Sequence, residues 1–489
     1  MLCQNVGSGI NHMPLSGMLR SRQERRQVLQ TFYSEGFFKG ATVMQQPIDL
    51  LIYPRWLVPV VPAGVVLEDY ALAVEQGRIV AVLPAREARE RFVARETETL
   101  ETHLLMPGLV NLHCHAAMNL LRGIADDLPL MSWLLEHIWP AEAKHVSHRF
   151  VHDGTLIACV EMLRSGVTCF NDMYFFPEAA AEAVNTSGIR AALGLTVLEF
   201  PGAYARDADD YFAKGLAVHE TLRGRPRLSF CLAPHAPYSV SDRSFERVAV
   251  LANELHLPMH IHVHETRDEI AQSLKEHGIR PLERLHRLGL VESKLIAVHA
   301  VHLGAKEIAQ LAACDASVVH CPTSNLKHGS GIAPLAALLE AGVNVGLGTD
   351  GAASNSRFDL FEEMRLAALL AKGSEEKATA VNAHRALAMA TIGGAQALGL
   401  GDEIGSLEPG KAADVCAVDF SALHLSPCYD PVSHLVYAVS GDDVSHVWVD
   451  GKARVKNRVL VDLDVEALKA MATGWGAKIG GQGSGKPDP

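Results

Sequence analysis

The sequence lacks the paired cysteines that mark several common classes of protein. Its 489 residues include nine cysteines, and no two of them are spaced as C-x-x-C. Structural zinc ribbons and thioredoxin-like redox centres depend on that spacing, so neither class has support here. An odd number of scattered cysteines is typical of a reduced intracellular protein with buried thiols, and we therefore expect a cytoplasmic location.

Long apolar runs and an excess of positive charge are also absent. No uninterrupted apolar stretch reaches the roughly 18 residues that a membrane-spanning helix needs, so we expect no membrane segment. The 44 basic and 56 acidic residues give a formal net charge of −12. A nucleic-acid-binding protein more often carries a basic balance or a basic face, and we expect no nucleic-acid partner.

The two ends of the chain differ in pattern from its middle. Residues 1–43 show no sustained periodicity and are expected to be a disordered extension. Residues 45–104 and 403–465 consist of short β-type runs separated by turn signals. We predict that these two segments pair into one small composite β-sandwich domain. Residues 466–489 are predicted to form a C-terminal helix and a disordered tail.

The middle of the chain, residues 105–402, alternates β-type runs with helical stretches. The eight runs are 108–113, 167–172, 189–197, 228–234, 258–263, 295–300, 316–322 and 343–350. Eight strand–helix units over this length predict an α/β fold, a (β/α)8 barrel of the TIM type. The alternative is a doubly wound open sheet, but no G-x-G-x-x-G motif follows the first of these strands, and no P-loop is present.

Histidine and acidic residues lie where these strands end, which is the face that carries the active site of a barrel. His113 and His115 are two residues apart on the first strand, so alternation places both imidazoles on one side of the chain. A third histidine from the fifth strand and Asp350 after the eighth would complete a catalytic metal site. We expect a divalent ion at this site, with zinc as the favoured metal, and zinc lowers the pKa of a bound water to about 7.

Seven motifs together resemble the amidohydrolase superfamily. Within it they are most similar to the 5'-methylthioadenosine/S-adenosylhomocysteine deaminases, which are related to triazine hydrolases and guanine deaminases. The motifs are MPGLVNLHCHAAMNLLRGIADDLPL (106–130), IWPAE (138–142), APHAPYSVSD (233–242), MHIHVHET (259–266), AVHAVHL (297–303), HCPTSNLKHGSG (320–331) and LGTDGAASN (347–355). The resemblance implies a metal-dependent deaminase, and a cytoplasmic homo-oligomer that is commonly a dimer.

The resemblance also selects among the histidines of the fifth strand, which alternation alone does not separate. His262 lies three residues before Glu265, as in the H-x-x-E-T motif of the family. The implied ligands of the single metal are therefore His113, His115, His262 and Asp350.

The remaining site residues receive roles from the same resemblance. Glu265 would protonate the ring nitrogen beside the amino-bearing carbon. His299 and Asp350 would shuttle the proton of the attacking water. His235 would contact the purine or stabilise developing charge, and Glu142 would accept hydrogen bonds from the ribose hydroxyls.

The reaction implied is the hydrolytic deamination of an adenosine analogue. We expect 5'-methylthioadenosine, converted to 5'-methylthioinosine and ammonia, with S-adenosylhomocysteine and adenosine as further candidates. Residues 191–204 hold no arginine or lysine to pair with the amino-acid carboxylate of S-adenosylhomocysteine. The alternative is a guanine, cytosine or triazine aminohydrolase of the same superfamily. Zinc deaminases of the cytidine type need P-C-x-x-C, which this chain lacks.

Overall fold

The computed structural model describes residues 45–481. The strands of this part of the chain are β1 (Gln46–Leu57), β2 (Leu67–Glu68), β3 (Tyr70–Glu75), β4 (Arg78–Pro84), β5 (Phe92–Pro107), β6 (Leu109–Cys114), β7 (Val167–Asp172), β8 (Arg190–Val197), β9 (Leu228–Pro234), β10 (Met259–Val263), β11 (Leu295–His299), β12 (Ser317–His320), β13 (Asn344–Leu347), β14 (Val415–Asp419), β15 (Val444–Val449), β16 (Lys452–Lys456) and β17 (Val459–Leu460). The extension predicted for residues 1–43 and the end of the predicted C-terminal tail lie outside the described residues.

The described residues also form α-helices, and most of the barrel strands are followed by one. They are α1 (Ala85–Arg91), α2 (Leu130–Trp133), α3 (Trp139–His145), α4 (His148–Arg164), α5 (Pro177–Ser187), α6 (Ala208–Leu222), α7 (Asp242–Leu255), α8 (Arg267–His277), α9 (Pro281–Arg287), α10 (Ala305–Ala313), α11 (Pro322–Lys327), α12 (Leu335–Glu340), α13 (Leu360–Ser374), α14 (Ala383–Ala388), α15 (Gly394–Ala397), α16 (Pro431–Tyr437) and α17 (Val465–Gly480). The shorter helical turns are 3₁₀ segments at Ala116–Leu121, Leu423–Leu425 and Gly441–Asp443, and π turns at Leu134–Ile138 and Met389–Gly393. Within residues 45–481 no helix is both long and apolar enough to cross a lipid bilayer.

The central sheet confirms the predicted barrel. Strands β6 to β13 are hydrogen-bonded in sequential order, and each adjacent pair is parallel. The backbone N–H of Asp350 donates to the carbonyl of His113 at 3.0 Å, which links the end of the last strand to the first. Every residue of β6, β7 and β8 is buried, as parallel strands covered on both faces require.

The strands from the two chain ends join one mixed sheet, as predicted for the composite small domain. The sheet has nine strands in the order β17-β16-β15-β14-β5-β1-β3-β4, with β2 paired to β1. The junction is the antiparallel pair β5–β14, in which Met106 lies opposite Cys416. A continuous sheet satisfies the backbone groups of both segments, so neither segment completes the domain alone. The domain limits given above remain predictions.

A buried ion pair connects the barrel to this sheet. Arg190, at the start of β8, donates from Nε to Asp414 Oδ2 at 2.8 Å and from a terminal nitrogen to Asp450 Oδ1 at 2.6 Å. Arg190 and Asp414 are both buried. A charge removed from water is tolerated only when it is paired and hydrogen-bonded, so these contacts fix the barrel against the small domain.

Candidate active site

Four side chains meet at the carboxyl end of the barrel. His113 lies in β6 and His115 follows that strand directly. The ligating nitrogens of these two residues and of His262, in β10, lie within 4.8 Å of one another. Asp350 Oδ1 lies 3.4 Å from His113 Nε2 and 3.3 Å from His115 Nε2. The structure thus brings together the four residues predicted as metal ligands.

Hydrogen bonds behind the cluster determine which ring nitrogens carry protons. His115 Nδ1 lies 2.6 Å from the carbonyl oxygen of Met173, and His262 Nδ1 lies 2.8 Å from that of His235. A carbonyl only accepts, so both Nδ1 atoms carry the proton and both Nε2 atoms present lone pairs. The lone pair of His115 therefore faces the carboxylate oxygen of Asp350. Facing acceptors of this kind are stabilised by a cation between them, and the donor set fits a divalent metal.

Burial keeps the imidazole of His113 in the neutral form, which binds a metal. Desolvation lowers the pKa of His113 to about 4, so the ring is neutral at neutral pH. A metal ligand must be deprotonated at the ligating atom, and a neutral imidazole meets that condition. His113 Nδ1 lies 3.0 Å from Nε2 of His260, which therefore packs behind the cluster.

His264, the residue directly after β10, points away from the site. His264 Nε2 accepts the backbone N–H of Leu282 at 3.1 Å, and its Nδ1 lies 3.1 Å from the carbonyl oxygen of His302. The turn at His264, where φ is 57°, ends the extended alternation. Of the three histidines, His262 is the one whose Nε2 joins the cluster.

Glu265 occupies the turn between β10 and α8 and is held there by a second carboxylate. Glu269 accepts the backbone N–H of His264 at 2.9 Å and that of Glu265 at 2.8 Å. The first turn of α8 is capped by Thr266, whose hydroxyl accepts the N–H of Glu269 at 3.2 Å. Burial raises the pKa of Glu265, which favours its protonated form.

Two residues of α11 orient the side chains of His299 and Asp350. His299 Nδ1 lies 2.8 Å from Asn325 Oδ1, and the Ser324 hydroxyl donates to Asp350 Oδ2 at 2.6 Å. His299 Nε2 faces Glu265 Oε2 at 3.8 Å. Both residues have left-handed backbone angles, with φ of 68° for His299 and 62° for Asp350. Such strain at non-glycine residues is frequent at functional sites, where surrounding contacts maintain it.

Glu142 lies in α3, on the insertion that follows β6, and points into the same cavity. Its Oε1 accepts a hydrogen bond from the Tyr174 hydroxyl at 2.6 Å. Burial raises the pKa of Glu142 to about 7. The sequence analysis did not identify Tyr174, because its contact with Glu142 joins helix α3 to the loop after β7, and no local pattern relates the two.

His235 lies just after β9, with Nδ1 at 2.9 Å from the hydroxyl of Ser239. Burial lowers the pKa of His235 to about 3, so the ring is neutral. It lines the cavity together with His262 and Glu265. Every residue predicted for the site therefore lies in or beside one cavity.

This cavity has a volume of about 270 Å³, and three of the predicted metal ligands, His115, His262 and Asp350, line it. Much of its wall is apolar and comes from the insertion after β6 and the loop after β8. The main wall residues are Leu130, Trp133, Leu134, Ile138, Trp139, Leu198 and Phe200. The rings of Trp139 and Phe200 pack at 5.6 Å across the two segments. Among the described residues that line the cavity there is no lysine or arginine.

Comparison with known proteins agrees with this architecture. Residues 104–454 match the model of the amidohydrolase family. A protein of Teredinibacter turnerae named 5-methylthioadenosine/S-adenosylhomocysteine deaminase is 49% identical over 433 residues, which cover 88% of this chain and 98% of the relative.

Two solved structures are similar over most of the chain and contain zinc. An adenosine deaminase from Xanthomonas campestris with bound zinc is 50% identical, with a TM-score of 0.89 over 90% of this chain and 100% of the other. A zinc complex of an atrazine chlorohydrolase from Arthrobacter aurescens is 25% identical, with a TM-score of 0.80 over 87% of this chain and 99% of the other. This chain belongs to the amidohydrolase family, and within it to the group of the 5-methylthioadenosine/S-adenosylhomocysteine deaminases.

Proposed function

We propose that this protein is a metal-dependent hydrolase that deaminates adenosine-type nucleosides, with 5'-methylthioadenosine as the preferred substrate. The observation that carries the proposal is the placement of Glu265 and His299, 3.8 Å apart, beside the histidine–aspartate cluster. The names of the similar proteins, a 5-methylthioadenosine/S-adenosylhomocysteine deaminase and an adenosine deaminase, support the same reaction class.

The metal site is assigned to His113, His115, His262 and Asp350. A divalent ion held there, with zinc as the proposed metal, would supply a water activated at neutral pH. The hydrogen bonds from His115 to Met173 and from His262 to the carbonyl of His235 hold these rings ready for ligation. They also fix the base of the cavity against which the reacting ring lies.

The proton transfers belong to three residues. Glu265, whose pKa is raised by burial, donates a proton to N1 of the adenine ring and makes C6 electrophilic. His299 Nε2 accepts a proton from the attacking water as the new C6–O bond forms. The Asp350 carboxylate takes the remaining proton of the new C6 hydroxyl and passes it to the amino group, so the C6–N bond breaks and ammonia leaves. His299 then returns its proton to Glu265, 3.8 Å away, and both residues regain their starting states. Water is consumed, and the products are ammonia and the inosine analogue.

Glu142 and His235 bind the substrate in this proposal. The Glu142 carboxylate, already hydrogen-bonded to Tyr174, keeps lone pairs for the two ribose hydroxyls. Neutral His235 contacts the purine from the β9 side of the cavity. A free base such as guanine or cytosine has no ribose. It would leave the buried carboxylate of Glu142 without the two ribose hydroxyls as hydrogen-bond donors.

The preference for a methylthio group follows from the wall of the cavity. A carboxylate such as that of S-adenosylhomocysteine needs a charge-assisted partner when it leaves water. The described lining offers it no lysine or arginine, whereas Trp139 and Phe200 offer an apolar surface. A thioether packs favourably against aromatic rings.

An ammonia-release assay tests the proposal directly. The zinc-loaded protein is assayed side by side with 5'-methylthioadenosine, S-adenosylhomocysteine, adenosine, guanine and cytosine. The expected result is the highest kcat/KM for 5'-methylthioadenosine, with S-adenosylhomocysteine well below it. Activity on free bases alone would overturn the assignment of Glu142 to ribose and favour a guanine or cytosine aminohydrolase.

We propose a homodimer from the family resemblance, and a cytoplasmic location from that resemblance together with the scattered, unpaired cysteines. Sedimentation equilibrium of the purified protein measures the first, and fractionation of the source cells measures the second.

A further inference from the structure

Two adjacent residues of the short helix α11 reach into the active site without lining its cavity. Ser324 and Asn325 are buried, with 0% and 1% of their surfaces exposed. Ser324 contacts Asp350, and Asn325 contacts His299. The helix therefore touches both groups that handle the proton of the attacking water in the proposed reaction.

The contact between Asn325 and His299 determines the chemistry of the imidazole. Asn325 Oδ1 lies 2.8 Å from His299 Nδ1. An amide oxygen only accepts, so Nδ1 of the neutral ring carries the proton and Nε2 keeps its lone pair. That lone pair lies on the side of Glu265, at 3.8 Å from its Oε2. A ring with the proton on Nε2 would have no lone pair there to accept a proton.

Asn325 itself is held by the backbone around it. Its N–H donates to the carbonyl of Cys321 at 3.0 Å, and its carbonyl accepts from the N–H of Ser330 at 2.8 Å. The start of α11 is anchored by buried Glu363, whose Oε2 accepts the N–H of Thr323 at 3.1 Å. These hydrogen bonds fix the backbone that positions the Asn325 side chain beside His299.

Within the described part of the chain, the oxygen is the atom of the Asn325 amide that makes a side-chain hydrogen bond. Asn325 Nδ2 is buried and has no hydrogen-bond partner among the described residues. Leaving a buried donor unpaired is unfavourable for the fold. The side chain therefore serves the contact made by its oxygen, and that contact is with His299.

We propose that Asn325 is a positioning residue for the reaction. It holds His299 as the Nδ1–H tautomer with Nε2 directed at the attacking water. The inference rests on the proposed function for the role of His299, but the tautomer itself does not depend on the substrate.

Three variants separate positioning from a structural role. Asn325→Leu keeps the approximate shape and removes the acceptor, Asn325→Asp keeps an acceptor, and Leu326→Ala changes an exposed neighbour on the same helix. General base catalysis contributes about 100-fold or more, so kcat of Asn325→Leu is expected to fall about 100-fold, with KM and zinc content unchanged. Asn325→Asp should recover most of the rate, and Leu326→Ala should match the parent protein. The proposal would be overturned if kcat of Asn325→Leu fell by less than about threefold. It would also be overturned if Asn325→Asp, with its zinc retained, lost as much kcat as Asn325→Leu.

A measurement without substrate distinguishes failure of this inference from failure of the proposed function. In protein labelled with ¹⁵N-histidine, the ring-nitrogen shifts of His299, assigned by their absence in His299→Gln, report the tautomer directly. We expect Nδ1–H in the parent protein and in Asn325→Asp, and a change in Asn325→Leu. An Nε2–H tautomer in the parent protein contradicts the inference whatever the enzyme acts on. If Nδ1–H is found and no nucleoside is deaminated, the positioning contact stands and the proposed function fails.

Discussion

The Tyr174 hydroxyl donates to the Glu142 carboxylate at 2.6 Å, across the loop after β7 and the insertion after β6. This bond orients the carboxylate that we assign to the ribose. Replacing Tyr174 with phenylalanine leaves Glu142 free to rotate, so KM for nucleosides should rise about tenfold with little change in kcat, the signature of lost binding. Steady-state kinetics measures both constants. For 2',3'-dideoxyadenosine, which lacks the hydroxyls, the variant and the parent protein should share one KM; a tenfold difference there would contradict the assignment.

The pH dependence of nucleoside binding should report Glu142. Burial raises its pKa to about 7, so the carboxylate predominates above that pH and the neutral acid below it. The charged form accepts hydrogen bonds from both ribose hydroxyls, and kcat/KM should therefore fall as the pH drops through this pKa. In Glu142→Gln that acidic limb should disappear. In Tyr174→Phe it should move to higher pH, because the Tyr174 hydrogen bond lowers the pKa of Glu142.

Glu265→Gln should retain the metal and lose most of the deamination. Glutamine keeps the shape of the side chain but has no acidic proton, and general acid catalysis of this kind contributes about 100- to 10,000-fold. The measurement is kcat for 5'-methylthioadenosine, paired with zinc content by atomic emission. Near-normal activity with full zinc would remove Glu265 as the proton donor.

Removing the metal should abolish activity and lower thermal stability together. The ion binds the folded chain and stabilises it by mass action, so a chelator should reduce the melting temperature and added zinc should restore it. His115→Asn should lower zinc occupancy. His148→Gln, at a histidine whose side chain is 47% exposed, serves as the matched control. Full zinc occupancy in His115→Asn would show that this residue is not a ligand.

Arg190→Met should destabilise the protein by about 3–5 kcal/mol, because it leaves the buried Asp414 carboxylate without its cation. Urea unfolding followed by circular dichroism measures the free energy of unfolding. Arg95→Met removes an ion pair of a largely exposed arginine, at 83% exposure, and should cost less than about 1 kcal/mol. Equal losses in the two variants would show that burial does not govern the contribution of Arg190.

Much of the fold follows from local pattern. The eight runs predicted for the barrel coincide with β6 to β13 to within a few residues. Predicted strands 316–322 and 343–350 end earlier in the structure, at His320 and Leu347. After His320 the chain enters helix α11, and after Leu347 it forms the loop that carries Asp350. Local hydrophobic periodicity marks the strands, but it does not mark where a loop turns away from the sheet.

The candidate site, like the fold, could be predicted only in part from local sequence pattern. Spacing and position at strand ends identified His113, His115 and Asp350, because period-two alternation and the barrel's active face are local rules. Those rules left His260, His262 and His264 equivalent, and the family resemblance selected His262. In the structure the separation arises from contacts distant in sequence, with the His262 Nδ1 atom bound to the carbonyl of His235.

The sequence by itself determined the type and order of the elements, the strand-end histidines and the absence of motifs for other chemistries. Tertiary structure alone decided that Tyr174 meets Glu142, that Asn325 meets His299, and that the cavity wall carries no cation among its described residues. The physical reason is range. Periodicity and turn propensity act over a few residues. The tautomer of a histidine, a buried donor without a hydrogen-bond partner and the lining of a cavity depend on side chains that only the folded barrel brings together.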